Sequence, residues 1–215
     1  MTGATWSPSR ADEAASPRRR RGVVATVGDS WSAGMNESDV AWPRLLADRL
    51  QLELHSFAVF GALTGEVLRR QLPHALRVRP DVLCAACGAN DVLSTPRLDV
   101  DRFAADLEAV LEIARASIPG VLLVTATIPD LTRFVDYRPR SRESKSRAFA
   151  EVSTRIRSVS ERQGAICVDV AKAAYVASRE TYAEDGFHPS PAGQRAVFEH
   201  VLRAIRAHPA ARRYA

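Results

Sequence analysis

The chain has 215 residues, of which 46% are hydrophobic and 26% are charged. This length and balance are typical of one globular domain, and they exclude a disordered chain or a small scaffold that depends on disulfides. The formal net charge is +5, and five arginines against two carboxylates place +3 of it in residues 1–21, where large apolar side chains are almost absent. We therefore expect residues 1–21 to form a disordered, solvated basic arm with no nucleic-acid partner, and residues 22–210 to form the domain.

The cysteines do not suggest a disulfide or metal framework. Three cysteines are too few, and odd in number, for a set of disulfides. Cys84 and Cys87 form a C-x-x-C pair, but they lie in an apolar, strand-like run, and no second pair completes a four-ligand zinc site. They are interpreted as small buried residues, and no metal is expected.

Export and membrane signals are weak. The apolar stretch that follows the arginines at 18–21 ends at Asp29, which makes it too short for the apolar core of a signal peptide. No other segment approaches the roughly 18 consecutive apolar residues of a membrane span. We therefore expect no membrane span and a cytoplasmic location.

Short apolar runs alternate with longer amphipathic segments along the rest of the chain. In order, these are a strand at GVVATVG (22–28), a helix at AWPRLLADRL (41–50), a strand within LELHSFAVFG, a helix at TGEVLRRQLPHAL, a strand at DVLCAACG, a helix at DVDRFAADLEAVLEIARAS, a strand at GVLLVTATIPD, a polar-faced helix over about 141–163, a strand at GAICVDV and a closing helix at SPAGQRAVFEHVLRAIRAH. Pro73 is expected to bend or end the second helix. Five βα units with continuously apolar strands predict an α/β fold, a five-stranded parallel sheet in a three-layer α/β/α sandwich.

Polar residues follow these strands where each one ends. In chain order the strand ends and the segment before the closing helix carry Gly28-Asp29-Ser30, Gly61, Gly88-Ala89-Asn90-Asp91, and the pair Asp185 and His188. Parallel α/β sheets bind ligands beyond the carboxyl ends of their strands, so we expect these groups to project into one crevice. A serine, a base to take its proton, a carboxylate to orient the base and neutral donors for an oxyanion are the components of acyl transfer.

Four sequence blocks in this order resemble those of the SGNH hydrolases, also called the GDSL esterase/lipase family. They are GDS, FAVFGA, GAND and DGFHPS, and the match in order and spacing covers residues 22–207. The resemblance implies a flavodoxin-like SGNH hydrolase fold and a carboxylic ester hydrolase that works through an acyl-serine intermediate. It implies a small-molecule ester as the substrate and no cofactor. The G-x-S-x-G elbow of other α/β-hydrolases is absent.

The resemblance also assigns catalytic roles. Ser30 would be the nucleophile, His188 the general base and later the general acid, and Asp185 the carboxylate that orients the histidine. The oxyanion hole would combine the backbone amides of Ser30 and Gly61 with the side-chain amide of Asn90. Glycine would let its amide approach the substrate closely, and the asparagine amide would donate without carrying a charge.

Neighbouring residues are interpreted from their positions. Asp29 and Asp91 are expected to hydrogen-bond the loops that hold the serine and the asparagine. Glu184 is an alternative to its neighbour Asp185 as the acid that orients the histidine. Trp31 either lines the pocket or packs beneath its loop.

Several alternatives stay open at the level of sequence. Ser30 alone also fits a helix cap, and Asn90-Asp91 alone fits a turn. The same machinery suits an acyltransferase, a thioesterase or an O-acetyl-sugar esterase, and the fold suits an inactive binding module.

The segment 130–147, which holds Phe134, Tyr137 and several basic residues, is either a specificity loop or a solvated linker into the next helix. If it faces the site, its basic residues, tested at Arg138 and Arg140, would favour an anionic or sugar-containing substrate. The sequence carries no signal for the oligomeric state.

Overall fold

The five predicted strands form one parallel sheet in a computed structural model that describes residues 22–34, 40–94 and 98–214. The strands are β1 Val23–Gly28, β2 Glu53–Ser56, β3 Val82–Ala86, β4 Leu122–Ala126 and β5 Ile166–Val168. Their order across the sheet is β2-β1-β3-β4-β5, and every neighbouring pair is parallel. This is the flavodoxin-like order, which confirms the predicted fold class. The basic arm predicted at residues 1–21 lies outside the described residues.

Helices cover both faces of the sheet. They are α1 Ser30–Ala33, α2 Trp42–Leu50, α3 Thr64–Glu66, α4 Leu72–Arg77, α5 Ala89–Ser94, α6 Val100–Ser117, α7 Pro139–Arg162 and α8 Pro191–Ala207. Helices α2 and α8 pack together on one face, and α4, α6 and α7 pack on the other. The predicted three-layer sandwich is therefore confirmed.

Strands β1, β3, β4 and β5 are largely buried on both faces because most of their residues are apolar, whereas the edge strand β2 is partly exposed and carries Glu53, His55 and Ser56. Side chains alternate along a strand, so successive residues of β1 enter opposite cores. Val24 packs into the core beneath α2 and α8, whereas Ala25 and Val27 pack into the core beneath α4, α6 and α7. Phe103 and Phe149 are the largest fully buried side chains, and both lie in the second of these cores.

The predicted bend at Pro73 is preceded by a π-helical turn, Val67–Gln71, which joins α3 to α4. Proline lacks the N–H that an α-helix needs, and its ring crowds the carbonyl four residues earlier, so the wider turn relieves the disruption. The turn also carries Gln71 inward, where its side chain is buried. Its amide nitrogen donates to the carbonyl of Gly28 at 2.9 Å, and its amide oxygen accepts from the N–H of Gly28 at 2.7 Å. A helical side chain thus fixes the last residue of β1.

Glycine is required at this point of the sheet. Gly28 has a φ of 144°, and a Cβ there would lie 1.9 Å from the carbonyl oxygen of Ala86 at the end of β3. The backbones of β1 and β3 therefore approach more closely than any side chain permits.

The connections create a crevice beyond β1 and β3. The chain leaves β1 for its outer neighbour β2 over the face that holds α2, and returns to β3 over the face that holds α4. The two crossovers diverge here, which is the switch point at which open α/β sheets bind ligands.

At the far end of the chain a 3₁₀ turn, Pro209–Tyr214, follows α8 and buries Ala211. Within the described part of the chain, no helix has the length and apolarity that crossing a membrane requires.

Candidate active site

Ser30 is the first residue of the short helix α1, at the carboxyl end of β1. Asp29 is the cap of this helix, and its Oδ1 accepts a hydrogen bond from the N–H of Trp31 at 3.0 Å. The capping role considered for Ser30 thus belongs to its neighbour, and the serine hydroxyl is left for another partner. Ser30 is only 5% exposed, so its hydroxyl is held within the crevice wall.

That partner is His188, which comes from the segment before α8. Its Nε2 lies 2.9 Å from Ser30 Oγ, and its Nδ1 lies 2.6 Å from Asp185 Oδ2. With the proton on Nδ1, the ring donates to the carboxylate and accepts from the serine hydroxyl. The Phe187 ring packs edge-on against the imidazole, with 4.9 Å between ring centroids. Ser30 and His188, which lie 158 positions apart in the sequence, therefore form one hydrogen-bonded chain with Asp185.

Asp185 is held by its own backbone as well as by the histidine. Its Oδ1 accepts from the N–H of Phe187 at 2.8 Å and from that of His188 at 2.9 Å, which leaves Oδ2 for the imidazole. Partial burial raises the pKa of this carboxyl, but the hydrogen bonds from the His188 side chain and the two backbone amides outweigh it and hold the pKa below its usual value. Glu184, the alternative acid, contributes only its backbone carbonyl to a hydrogen bond from Arg179.

The predicted oxyanion donors lie on the opposite wall of the crevice. Gly61 follows β2 and Asn90 lies in α5, directly after β3, and both line the same cleft as Ser30. Gly61 has a φ of 77°, and a Cβ there would meet no atom within 4 Å. The left-handed backbone therefore favours glycine here, and the close approach of its amide to the substrate stays a prediction. The Asn90 side-chain nitrogen donates to the carbonyl of Ala62 at 3.3 Å, which ties α5 to the Gly61 loop.

Two further acids, Asp29 and Asp91, form hydrogen bonds that hold the loops of the site. Asp29 is 2% exposed, and burial raises its pKa from 3.8 to about 7, although the N–H of Trp31 acts in the opposite direction. Asp91 accepts from the N–H of Thr64 at 3.1 Å and from its hydroxyl at 3.0 Å, and burial again raises its pKa. Asp29 therefore holds the Ser30 turn, and Asp91 joins the Asn90 helix to the segment after Gly61.

Sequence reasoning missed two residues that position the site. Gln71 pairs with both backbone groups of Gly28, across 43 positions of sequence. Thr64 is fully buried and anchors Asp91. Neither belongs to a motif, and the only available signal is a polar residue at a core-facing helix position.

The cleft around Ser30 encloses about 490 Å³. Its lining combines the polar residues described above with apolar side chains and one cation, namely Ser30, Gly61, Asn90, Asp185, His188, Phe60, Leu93, Val135, Tyr137, Phe187 and Lys145. This volume lies within the range of about 300–1,000 Å³ that is usual for small-molecule sites. The Trp31 side chain is absent from this lining; its ring packs against both cores and lies edge-on to the Tyr182 ring, with 6.4 Å between centroids, so it packs beneath the loop.

The candidate specificity loop reaches the cleft, but not through the arginines proposed for it. Helix α7 already begins at Pro139, and Arg138 is the residue that precedes it. Neither Arg138 nor Arg140 lines the cleft; the residues that do are Val135, Tyr137 and Lys145. The hypothesis about the two arginines is therefore wrong in its residues, because a proline at the first helical position starts the helix earlier than expected.

The cysteines are structural. Cys84 and Cys87 are buried, as interpreted from the sequence, and burial raises the pKa of Cys84 to about 12. Such thiols remain protonated and are poor nucleophiles and poor metal ligands. In the described ranges, no group of three or more histidine, cysteine, aspartate or glutamate residues could hold a metal ion.

A comparison with protein-family profiles assigns the chain to a family. The profile of the GDSL-like lipase/acylhydrolase family matches residues 26–196, which include the Ser30 turn and the Asp185–His188 segment. The chain belongs to this family. The sequence has no significant match among curated proteins.

Solved structures of similar fold cover almost all of this GDSL hydrolase. The structure of TesA is 23% identical over 86% of the chain and 98% of its own, with a TM-score of 0.67. The acetyl xylan esterase AlAXEase is 21% identical over 85% and 98%, with a TM-score of 0.69. The extracellular lipase from Streptomyces rimosus is 18% identical over 85% and 99%, with a TM-score of 0.67. At these identities the likeness establishes a shared fold.

Proposed function

We propose that this GDSL hydrolase cleaves carboxylic esters through an acyl-serine intermediate, with Ser30 as the nucleophile. The observation that carries the proposal is the continuous chain from Ser30 Oγ to His188 Nε2 at 2.9 Å and from His188 Nδ1 to Asp185 Oδ2 at 2.6 Å, which opens into a cleft. A serine hydroxyl is a weak nucleophile until a base takes its proton, and a base in contact with it provides that activation.

The steps follow from the hydrogen bonds. His188 Nε2 accepts the Ser30 proton as Oγ attacks the ester carbonyl, and the resulting imidazolium is stabilised by the Asp185 carboxylate. The same Nε2–H then protonates the leaving alcohol, which departs and leaves the acyl group on Oγ. A water molecule next gives its proton to His188 and attacks the acyl carbon, after which Ser30 recovers its proton and the carboxylic acid is released.

The tetrahedral oxygen carries a negative charge in both halves of this reaction. We assign its stabilisation to the backbone amides of Ser30 and Gly61 and to the side chain of Asn90. Ser30 is the first residue of a helix, where backbone N–H groups have no partner within the helix and the helix dipole favours an anion. Gly61 and Asn90 line the same cleft and are joined through Ala62.

Ester hydrolysis fits the site better than an inactive binding module does. An inactive binding module has no use for a serine, a histidine and a carboxylate in one hydrogen-bonded chain. An acyltransferase, a thioesterase or an O-acetyl-sugar esterase would use the same three residues and differ in the group that leaves or attacks. The apolar side chains of Phe60, Leu93 and Phe187 beside the serine favour an ester with an apolar acyl group.

A serine-directed fluorophosphonate tests the proposal. The wild-type protein should be labelled, Ser30→Ala should not, and Ser32→Ala provides a matched control two residues away. Ser32 is buried and its hydroxyl has no hydrogen-bond partner among the described residues, so this control removes a serine without removing a contact. A panel of p-nitrophenyl esters of increasing chain length should show the same dependence on Ser30. An unlabelled wild-type protein that cleaves none of the esters would contradict the proposal.

A further inference from the structure

We infer that Lys145 makes the cleft selective for esters that carry an anionic group a few bonds from the scissile carbonyl. The inference rests on the proposed esterase function and adds a substrate class to it. Lys145 lies in α7 and lines the cleft together with Ser30, Asn90 and His188. Among the described residues of that lining it is the only lysine or arginine, and the only carboxylate is Asp185, which is hydrogen-bonded to His188.

The choice of lysine at this position is unusual for this chain. Of its 30 basic residues only two are lysines, Lys145 and Lys172, and the other 28 are arginines. Lys172 lies on the surface, 3.6 Å from the Asp169 carboxylate, with its side chain 73% exposed. The remaining lysine thus lines the cleft that holds the candidate nucleophile.

Four arginines of α7 have carboxylate partners, whereas Lys145, like Arg140 and Arg142, has none in the described ranges. Ion pairs along this helix and from it to α6 and the end of β5 join Arg147 to Glu143, Arg155 to Asp101, Arg157 to Asp169 and Arg162 to Glu108. Lys145 forms no ion pair with any carboxylate in the described ranges. Its Nζ donates to the carbonyl of Val92 at 3.4 Å and lies 6.0 Å from the centre of the Tyr137 ring. Of the three N–H groups of an ammonium, two are therefore left for a ligand.

These contacts hold the ammonium close to the reacting groups. Val92 lies in α5, two residues after Asn90, so the carbonyl that anchors Lys145 belongs to the helix that carries the proposed oxyanion donor. Leu93, Val135 and Tyr137 complete this wall of the cleft. A half-buried ammonium beside apolar side chains attracts an anion more strongly than one in open solvent. A carboxylate or phosphate on the substrate would bind here through a charge-assisted hydrogen bond.

Matched esters that differ only in charge test the inference. One pair varies the alcohol half, 4-carboxyphenyl butyrate against 4-carbamoylphenyl butyrate. The other varies the acyl half, the 4-nitrophenyl monoester of adipic acid against the 4-nitrophenyl ester of the corresponding monoamide. The measured quantity is the ratio of kcat/KM for the anionic ester to that for its neutral partner. Intrinsic reactivity cancels when this ratio is compared between the wild type and a variant.

Lys145→Met should lower this ratio by about tenfold in at least one pair, mainly through KM, because one charge-assisted hydrogen bond is lost. The pair that responds identifies the half of the ester that carries the anion. Lys145→Arg should retain most of the preference, Lys145→Glu should lower the ratio below that of Lys145→Met, and Lys172→Met should leave it unchanged. Raising the salt concentration should reduce the wild-type ratio and not that of Lys145→Met, since salt screens the attraction.

A ratio that is the same in wild type and Lys145→Met for both pairs overturns the inference, including the case in which all four esters are cleaved equally more slowly. If these esters are cleaved in a Ser30-dependent way while the ratio does not move, the proposed esterase function stands and only the substrate class is wrong. A wild-type protein that cleaves none of them and resists the fluorophosphonate overturns both.

Discussion

Two acids flank the Ser30 region, and their surroundings are opposite. Asp29 precedes the serine on its buried side, where it is 2% exposed and its pKa is raised to about 7. Asp185 lies on the cleft side, with a side chain that is 41% exposed and a pKa below its usual value. One carboxyl is partly protonated at neutral pH, and the other is ionised. When their surroundings shift the pKa values of two carboxyl groups in opposite directions, the two groups can be assigned different roles.

The contrast extends to the residues around each acid. The cleft side holds the groups that we expect to act on the substrate, namely Ser30, His188 and Asn90. The buried side holds groups that satisfy backbone donors and acceptors, namely Asp29, Gln71 and Thr64. Changes on the cleft side should therefore affect turnover with little effect on stability, and changes on the buried side should do the reverse.

The largest effect is expected for Asp185→Asn. A neutral amide cannot stabilise the imidazolium, and it favours the wrong proton position on His188, so kcat should fall by about 10³–10⁴. Asp29→Asn makes the same chemical change on the buried side and keeps an oxygen that can accept from Trp31, so kcat should fall by less than about tenfold. Steady-state kinetics on a p-nitrophenyl ester measure both. Equal losses in the two variants would remove the distinction between the acids.

Asn90→Ala should have the next largest effect on turnover. Loss of one oxyanion donor typically lowers kcat by about 10²–10³, with a small change in KM because the donor acts on the transition state. Thr64→Val provides the control on the buried side, since it removes the hydroxyl that Asp91 accepts from while leaving Asn90 in place. It should lower the free energy of unfolding by about 1–2 kcal/mol and change kcat much less. An Asn90→Ala variant with wild-type kcat would exclude the side chain from the oxyanion hole.

The cleft side was largely predictable from sequence, and the buried side largely was not. Ser30, Gly61, Asn90 and His188 each follow a strand or precede a helix, so a topology rule places them at one edge without any distances. Gln71 lies in mid-helix and meets Gly28 only because a π turn before Pro73 rotates it inward. A pairing of this kind depends on the packed fold, and a linear pattern does not contain it.

The same limit explains the error at the specificity loop. From the sequence, Arg138 and Arg140 are candidates for the cleft because they lie in a basic segment after a strand. The helix that starts at Pro139 turns each later residue by about 100°, so which cation lines the cleft depends on where the helix starts. Lys145 lines it.

Gln71→Met should be the most destabilising change on the buried side. It keeps the volume of the side chain but leaves the N–H of Gly28 without its partner, whereas the carbonyl of Gly28 still accepts from the N–H of Val59 at 3.1 Å. An unsatisfied buried group costs about 1–3 kcal/mol and a lost hydrogen bond about 0.5–1.5 kcal/mol, so the free energy of unfolding should fall by about 2–3 kcal/mol in urea titrations. Gln163→Met, at a more exposed glutamine that bonds Glu108, should cost less than about 1 kcal/mol. A Gln71→Met protein as stable as wild type would show that β1 ends without this brace.

The last expected effect is the contribution of Asp29 to the pH dependence of the free energy of unfolding. Its pKa is raised from 3.8 to about 7 by burial, so between these pH values the folded protein keeps a proton that the unfolded chain has released. The free energy of unfolding must then decrease as pH rises through this window, and above pH 7 the decrease is complete. Between pH 5 and pH 8 the free energy of unfolding of the wild type should fall by about 2–3 kcal/mol more than that of Asp29→Asn, because the variant lacks this carboxyl. Urea titrations at the two pH values, compared between wild type and variant, isolate the contribution of the one residue. If the difference in the free energy of unfolding between wild type and Asp29→Asn is the same at both pH values, Asp29 is ionised throughout this range. Polar groups around it would then stabilise the carboxylate more than its burial destabilises it.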